Sequence, residues 1–345
     1  MISVLQMSLA AAPLICGIAL ARTLLRRWIP PRVFLLLWNL AVCRLLAPVW
    51  VPVRGVAVKP LLNHVYGGIF NVTRETVALL DDRFLLFVWA VGALVVLGIT
   101  LKQHFDTCVS WREAIPVERE AALRWQARQT GPRFIEVLQS DRADGPFSRG
   151  VLRPIVVLPS PTAKNTPEDK LYPILAHEEA HLRGFHPLMR YALLAACCIH
   201  WFNPFVWLML MLFEQDMELA ADKRATRGKS HEEKVHYANM LNEMDKRRMQ
   251  RRMGLGVTPH LGEPSLVERI QMLKYPKRQS KVGTIAVLVL LVLLFSCMMS
   301  VSNTALCNKT EVDNVYHLYY EENIEEYSQR IYGGGYTFWQ NGSSA

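Results

Sequence analysis

Residues 171–183 read LYPILAHEEAHLR. Ile174, Leu175 and Leu182 recur at helical spacing, so the stretch predicts an amphipathic helix. His177 and His181 are four residues apart and share one face of it. Two imidazoles one turn apart can grip a single zinc ion, and Glu178, beside the first, is placed to take a proton from a bound water. This H-E-x-x-H pattern therefore proposes peptide hydrolysis as well as a site. A look-alike shows what spacing does: His231 and His236 are five residues apart. That separates them by about 140° on a helix, so they read as a solvated face.

Zinc needs a third protein ligand and keeps a fourth position for water. The best candidate is Glu218, within Glu214–Asp222 (EQDMELAAD). Glu218 and Asp222 again stand at i and i+4. Asp222 is suited to accept the spare ring N–H of a zinc-bound histidine and fix its tautomer.

Half of the chain, 51%, is hydrophobic, yet the net charge is +9, which points to apolar spans joined by basic loops. Four stretches have the composition to cross a bilayer: Ile2–Ala21, Val33–Pro52, Phe84–Leu101 and Gly283–Val301. Arg22, Arg26, Arg27 and Arg32 fill the first loop, most other Lys and Arg lie between Lys102 and Lys281, and the tail after Val301 is acidic. The positive-inside rule then places residues 102–282 in the cytosol and both termini outside. The first span, with no basic residue before it, resembles an uncleaved anchor more than a secretory signal peptide.

A fifth apolar stretch, Leu188–Phe213, separates the two halves of the zinc site. If His177 and Glu218 touch one ion, the chain between them crosses the membrane an even number of times. Asn203-Pro204 supplies the break, because Asn is a good N-cap and Pro suits the first helical position. Two short helices are expected, about Met189–His200 and Phe205–Met217, forming a hairpin over 188–213.

Phe134–Leu138 and Pro154–Leu158 read as short strands, the second as an edge strand. Ile155, Val156 and Val157 are then candidates to receive a substrate peptide by strand addition. Arg44 lies in the second span, either in a functional role or snorkelling to the outer interface. The basic run Lys246–Arg252 suits anionic lipid or a solvated face, and no nucleic-acid fold signature accompanies it. The seven cysteines show no disulfide or zinc-ribbon spacing.

Together these motifs resemble the BlaR/MecR signal-transducer type of membrane metallopeptidase from Gram-positive bacteria. The resemblance rests on Arg44-Leu-Leu-Ala-Pro48, Pro146–Gly150, Arg153–Pro159, His177–His181, Trp201-Phe-Asn-Pro204, Asp216–Asp222 and Glu268-Arg-Ile270, and covers roughly residues 1–302. It implies a gluzincin with His177, His181 and Glu218 as zinc ligands and Glu178 as catalytic base. The implied substrates are a transcriptional repressor, winged-helix in type, and the protease's own chain. Family members often carry an acidic residue five positions after the second histidine; here it is His186. No Ser-x-x-Lys follows residue 302, so β-lactam recognition is not part of the expectation.

The expected architecture is a mainly α membrane protein with four transmembrane helices. Residues 1–101 carry three spans, 102–282 a cytosolic α+β zincin domain, 283–302 the fourth span and 303–345 a short extracellular tail. Expected partners are a protein substrate, membrane lipid and a second copy in a homodimer, with no direct nucleic acid. Two alternatives share the residues: a quality-control or CAAX-processing membrane zincin, and a non-catalytic receptor or scaffold bearing zinc.

Overall fold

The computed structural model describes residues 2–26, 28–46, 82–255, 266–274, 283–285 and 289. The chain opens with α1 (Ile2–Leu25), α2 (Pro31–Leu46) and α3 (Asp82–Arg112). Two of these are long and apolar enough to cross a membrane, through Met7–Leu25 and Arg83–Asp106. α2 has 16 residues, and the remainder of its expected span lies outside the described residues, as does nearly all of the expected fourth span and the tail. α3 leaves a long run of apolar side chains exposed, from Phe84 to Val109. A surface of that extent marks contact with lipid or another apolar partner.

A small sheet follows. Its strands are β1 (Ile115–Pro116), β2 (Glu136–Ser140), β3 (Phe147–Arg149) and β4 (Ile155–Pro159), in the order β1-β2-β4-β3. β2 and β4 run parallel, with Val137 beside Val156. β3 pairs antiparallel to the other side of β4, with Ser148 beside Val156. Gly150, at φ +92°, makes the turn between them, and a Cβ there would sit 2.0 Å from the Arg153 carbonyl oxygen.

This order corrects the expected edge. β4 is an inner strand, Val156 and Val157 are fully buried, and Ile155 pairs on both sides. The unbroken run Ile-Val-Val-Leu is what a strand covered on both faces looks like, whereas an edge strand carries polar residues. Among the described residues the edges are β1 and β3, and the Phe-Ser-Arg of β3 is half-buried.

Six further helices and one more short one complete the described fold: α4 (Glu120–Ala127), α5 (Ser160–Asn165), α6 (Glu168–Arg183), α7 (His186–Ile199), α8 (Pro204–Ala225), α9 (His231–Leu255) and α10 (Leu266–Lys274). Val137, Val156 and Leu158 of the sheet pack with Leu171, Leu175 and Tyr237 into one core.

α7 and α8 meet at Asn203. Its side chain accepts from the Phe205 amide at 2.9 Å, Pro204 opens the next helix, and its Nδ2 donates to Ser8 Oγ at 2.8 Å. The turn docks on the three N-terminal helices. His200 Nε2 is 3.0 Å from the Leu45 carbonyl, and Trp201 Nε1 donates to the Trp89 carbonyl at 3.1 Å. Trp89 Nε1 donates to the Ile199 carbonyl at 2.9 Å in return. The Trp201 indole lies against Gly92, where a Cβ would come within 2.2 Å of the ring. Arg44 is buried, 4% exposed, rather than reaching out to solvent.

Candidate metal centre

α6 and α8 pack side by side and bring the two i, i+4 pairs face to face. His177 Nε2 and His181 Nε2 are 3.1 Å apart. Glu218 presents Oε2 to His177 Nε2 and Oε1 to His181 Nε2, each at 3.4 Å. Donors at corners of a tetrahedral zinc site, with bonds of about 2.0–2.1 Å, are separated by about 3.3–3.4 Å. The triangle matches that size, and its mixed imidazole–carboxylate chemistry is that of a catalytic zinc site with three protein ligands. Among the described residues, these three form the group that could hold a metal ion.

The back of each ring is held. His177 Nδ1 lies 3.1 Å from Asp222 Oδ1 and 2.9 Å from the Tyr237 hydroxyl, which itself donates to Asp222 Oδ1 at 2.8 Å. This fixes the proton on Nδ1 and turns Nε2 toward the triangle. His181 Nδ1 is 2.9 Å from His186 Nδ1. With His181 facing the triangle through Nε2, its Nδ1–H donates and His186 accepts. The close fold-back of His186 needs Gly184, because a Cβ there would stand 2.5 Å from His186 Nε2. Phe185 follows at φ 56°, with the Arg133 guanidinium 4.2 Å from its ring centre.

The charge balance comes from α10. Arg269 Nε and Nη2 donate to Asp222 Oδ2 and Oδ1 at 2.7 Å each, and Nη1 is 3.2 Å from Glu218 Oε2. Burial alone would push both carboxyls up; the Arg269 guanidinium and the imidazoles reverse that and hold both well below the usual carboxylate range. Burial pulls the His177 ring down, but hydrogen bonds to Asp222 and Glu218 outweigh it and raise it to about 10. His181 has no such carboxylate behind it, and burial lowers it to about 3; His186 falls to about 4 for the same reason. Glu178 is 8% exposed, and burial raises it, opposed by His177 and a hydrogen bond from Ser148. A buried carboxylate of raised pKa is a stronger base than a free one.

Of the residues singled out in the sequence, His177, Glu178, His181, Glu218 and Asp222 are together here, and Ile155, Val156 and Val157 are not exposed at an edge. Three contributors carried no recognisable signal. Tyr237 lies on the buried face of the helix whose other face holds His231 and His236. Ser148 lies in a segment too short to read as a strand. Arg269 belongs to Glu268-Arg-Ile270, a motif without an evident role until its contacts are seen.

A second charge cluster sits two residues before Glu218, on the other side of α8. Arg22 Nε donates to Asp216 Oδ1 at 2.9 Å and Trp38 Nε1 donates to Oδ2 at 2.8 Å. Burial pushes Asp216 up to about 6, opposed by the Arg22 guanidinium and the Trp38 hydrogen bond.

The chain matches "Regulatory protein BlaR1" of Bacillus licheniformis at 24% identity over 170 residues, 48% of this chain and 28% of that one. It matches the "Methicillin resistance mecR1 protein" of Staphylococcus aureus and of Staphylococcus epidermidis at 20% identity over 160 residues, 46% of this chain and 27% of theirs. The matched part thus spans little more than a quarter of these relatives' length. The model of the BlaR1 peptidase M56 family matches residues 2–273, most of the chain, and the chain belongs to that family.

Proposed function

We propose that this protein is a membrane-embedded zinc endopeptidase that relays a signal by proteolysis on the cytosolic side. The observation that carries the reading is the His177–His181–Glu218 triangle, of zinc-site dimensions, with buried Glu178 beside it. His177, His181 and Glu218 would hold the ion, and Asp222 and His186 would orient the rings. Zinc bound there would polarise the scissile carbonyl and bring the pKa of its water toward ~7. Glu178 would take a proton from the attacking water and later give it to the leaving amine.

The free side of β3 is suited to receive an extended substrate segment, main chain to main chain. Its Ser148 hydroxyl reaches Glu178, which sets that edge beside the base. The substrates proposed are a transcriptional repressor, winged-helix in type, and the chain itself, by analogy with the regulatory relatives. We assign residues 1–101 and 283–302 to four spans, 102–282 to the cytosolic protease and 303–345 to the outside, with the α7–α8 hairpin returning the chain to the side it left.

Glu178→Gln tests the chemistry. It should retain zinc and lose cleavage of the repressor and of its own chain by about 10²–10⁴-fold. Undiminished cleavage in a zinc-loaded Gln variant would remove Glu178 from the mechanism. Zinc binding without cleavage in the wild type would favour the scaffold.

A further inference from the structure

α10 carries two adjacent charges whose partners lie in different directions. Arg269 forks onto both oxygens of Asp222 and reaches Glu218 Oε2, as given above. Glu268 turns away from it. Its Oε1 accepts from Arg26 Nη1 at 2.5 Å and lies 3.8 Å from Arg22 Nη2. Arg22 closes the C-terminal turn of α1 and Arg26 follows it directly, at the end of the candidate span Met7–Leu25. Neighbouring residues on a helix point about 100° apart, so one turn of rigid backbone joins both sets of contacts.

Resting on the reading of the triangle as a metal site, we infer that Glu268 and Arg269 are positioning residues that couple the end of the first apolar helix to the carboxylate ligand. Arg26 holds Glu268, and the shared backbone then holds Arg269 against Glu218 and Asp222. The chemistry supports a directed role. Asp222 is buried and Glu218, one helical turn before it, is half-buried, with the His181 ring beside it. Arg269 is 15% exposed and supplies their countercharge. Its planar fork spans two carboxylates at once, which a lysine ammonium cannot do. With one face of Glu218 taken by Arg269, the rotation of that carboxylate is set, and with it the shape of the triangle. A movement of α1 that withdrew Arg26 would loosen Glu268, and Arg269 would lose its hold. Arg22 stays tied to Asp216 on α8 itself, so Arg26 is the contact free to report such a movement.

The test measures metal affinity in the full-length protein, stripped of metal and titrated with zinc and with cobalt against a chromophoric chelator. Arg269→Lys should weaken affinity by about 10–100-fold and alter the cobalt absorption spectrum. Glu268→Gln and Arg26→Gln touch no donor atom, yet both should weaken affinity severalfold in the same direction. The double variant should be no weaker than Glu268→Gln alone, since one contact carries the effect. Arg26→Lys, which keeps the charge, should restore most of it. A thermal unfolding midpoint is recorded for each variant, and Arg26, 36% exposed, is a mild place to cut. Unchanged affinity in Glu268→Gln and Arg26→Gln would overturn the coupling, as would strictly additive losses. A wild type that binds neither metal would instead sink the metal-site reading itself.

Discussion

The two halves of α8 are held by different physics. Its first half begins at the Asn203 cap and buries Val206, Met209 and Phe213, and its hydrogen bonds join neutral groups: Asn203 to Ser8, Trp207 to the Trp201 carbonyl. Its second half presents Asp216, Glu218 and Asp222 to Arg22, two histidines, a tyrosine and Arg269. The start of the first half is set by residues next to one another in sequence, Asn203 and Pro204. The second is specified by partners drawn from α1, α2, α6, α9 and α10. A local signal sets where this helix starts, and long-range charge pairing sets what it does.

The sharpest way to break that comparison is to remove a charge from the second half. Asp216→Ala would leave the Trp38 N–H without its carboxylate and take from Arg22, 3% exposed, its buried partner, leaving Gln215 at 3.1 Å and Glu268 at 3.8 Å. We expect a loss of about 3–5 kcal/mol in unfolding experiments in detergent. A loss below ~1 kcal/mol would mean that the charged half is no more demanding than the apolar one.

Tyr237→Phe removes a hydroxyl and little else. The fold should survive, at a cost of about 1 kcal/mol. Zinc affinity should fall by about 10–100-fold, because the hydrogen bonds behind His177 orient it. Equal affinity in the two proteins would show that Asp222 alone suffices.

The pH dependence of metal binding sharpens the contrast between the two rings. His177 keeps its proton until about 10, and a cation must displace it. Affinity should therefore fall as pH drops through 9, 8 and 7, by about tenfold per unit, with one proton released per ion bound. His181, lowered to about 3, adds nothing in that window. Calorimetry in buffers of different ionisation enthalpy counts the proton, and a count of two or none would reject the assignment. The smallest effect belongs to the apolar end. Asn203→Ala removes the cap and the Ser8 contact and should cost about 1–2 kcal/mol of stability while leaving metal affinity unchanged.

The same contrast explains what could be read from the chain. The i, i+4 spacings of His177/His181 and Glu218/Asp222 place each pair on one helix face, and Asn203-Pro204 marks a helix start; these are short-range facts. Nothing local says that Tyr237, on a helix whose visible histidines face water, reaches the back of His177. Nothing local gives Arg269 its carboxylates. The sheet misled for a related reason. An apolar run reads equally as an edge or a centre until its neighbours are known, and β4 acquires β3 as a neighbour only through a three-residue strand.

α10 has one further consequence, for assembly. Its two charges are adjacent and opposite. Turning the helix by one residue in one sense would set Glu268 against Glu218 and Asp222, acid against acid; turning it in the other sense would set Arg269 against Arg22 and Arg26, base against base. Either turn breaks both contacts and adds one clash of like charges. The azimuth is then selected by charge against turns in either sense, beside the apolar packing of Leu273, Leu266 and Ile270 on the core. The short helix is thus keyed by charge to two places at once, the end of α1 and the carboxylates beside the triangle.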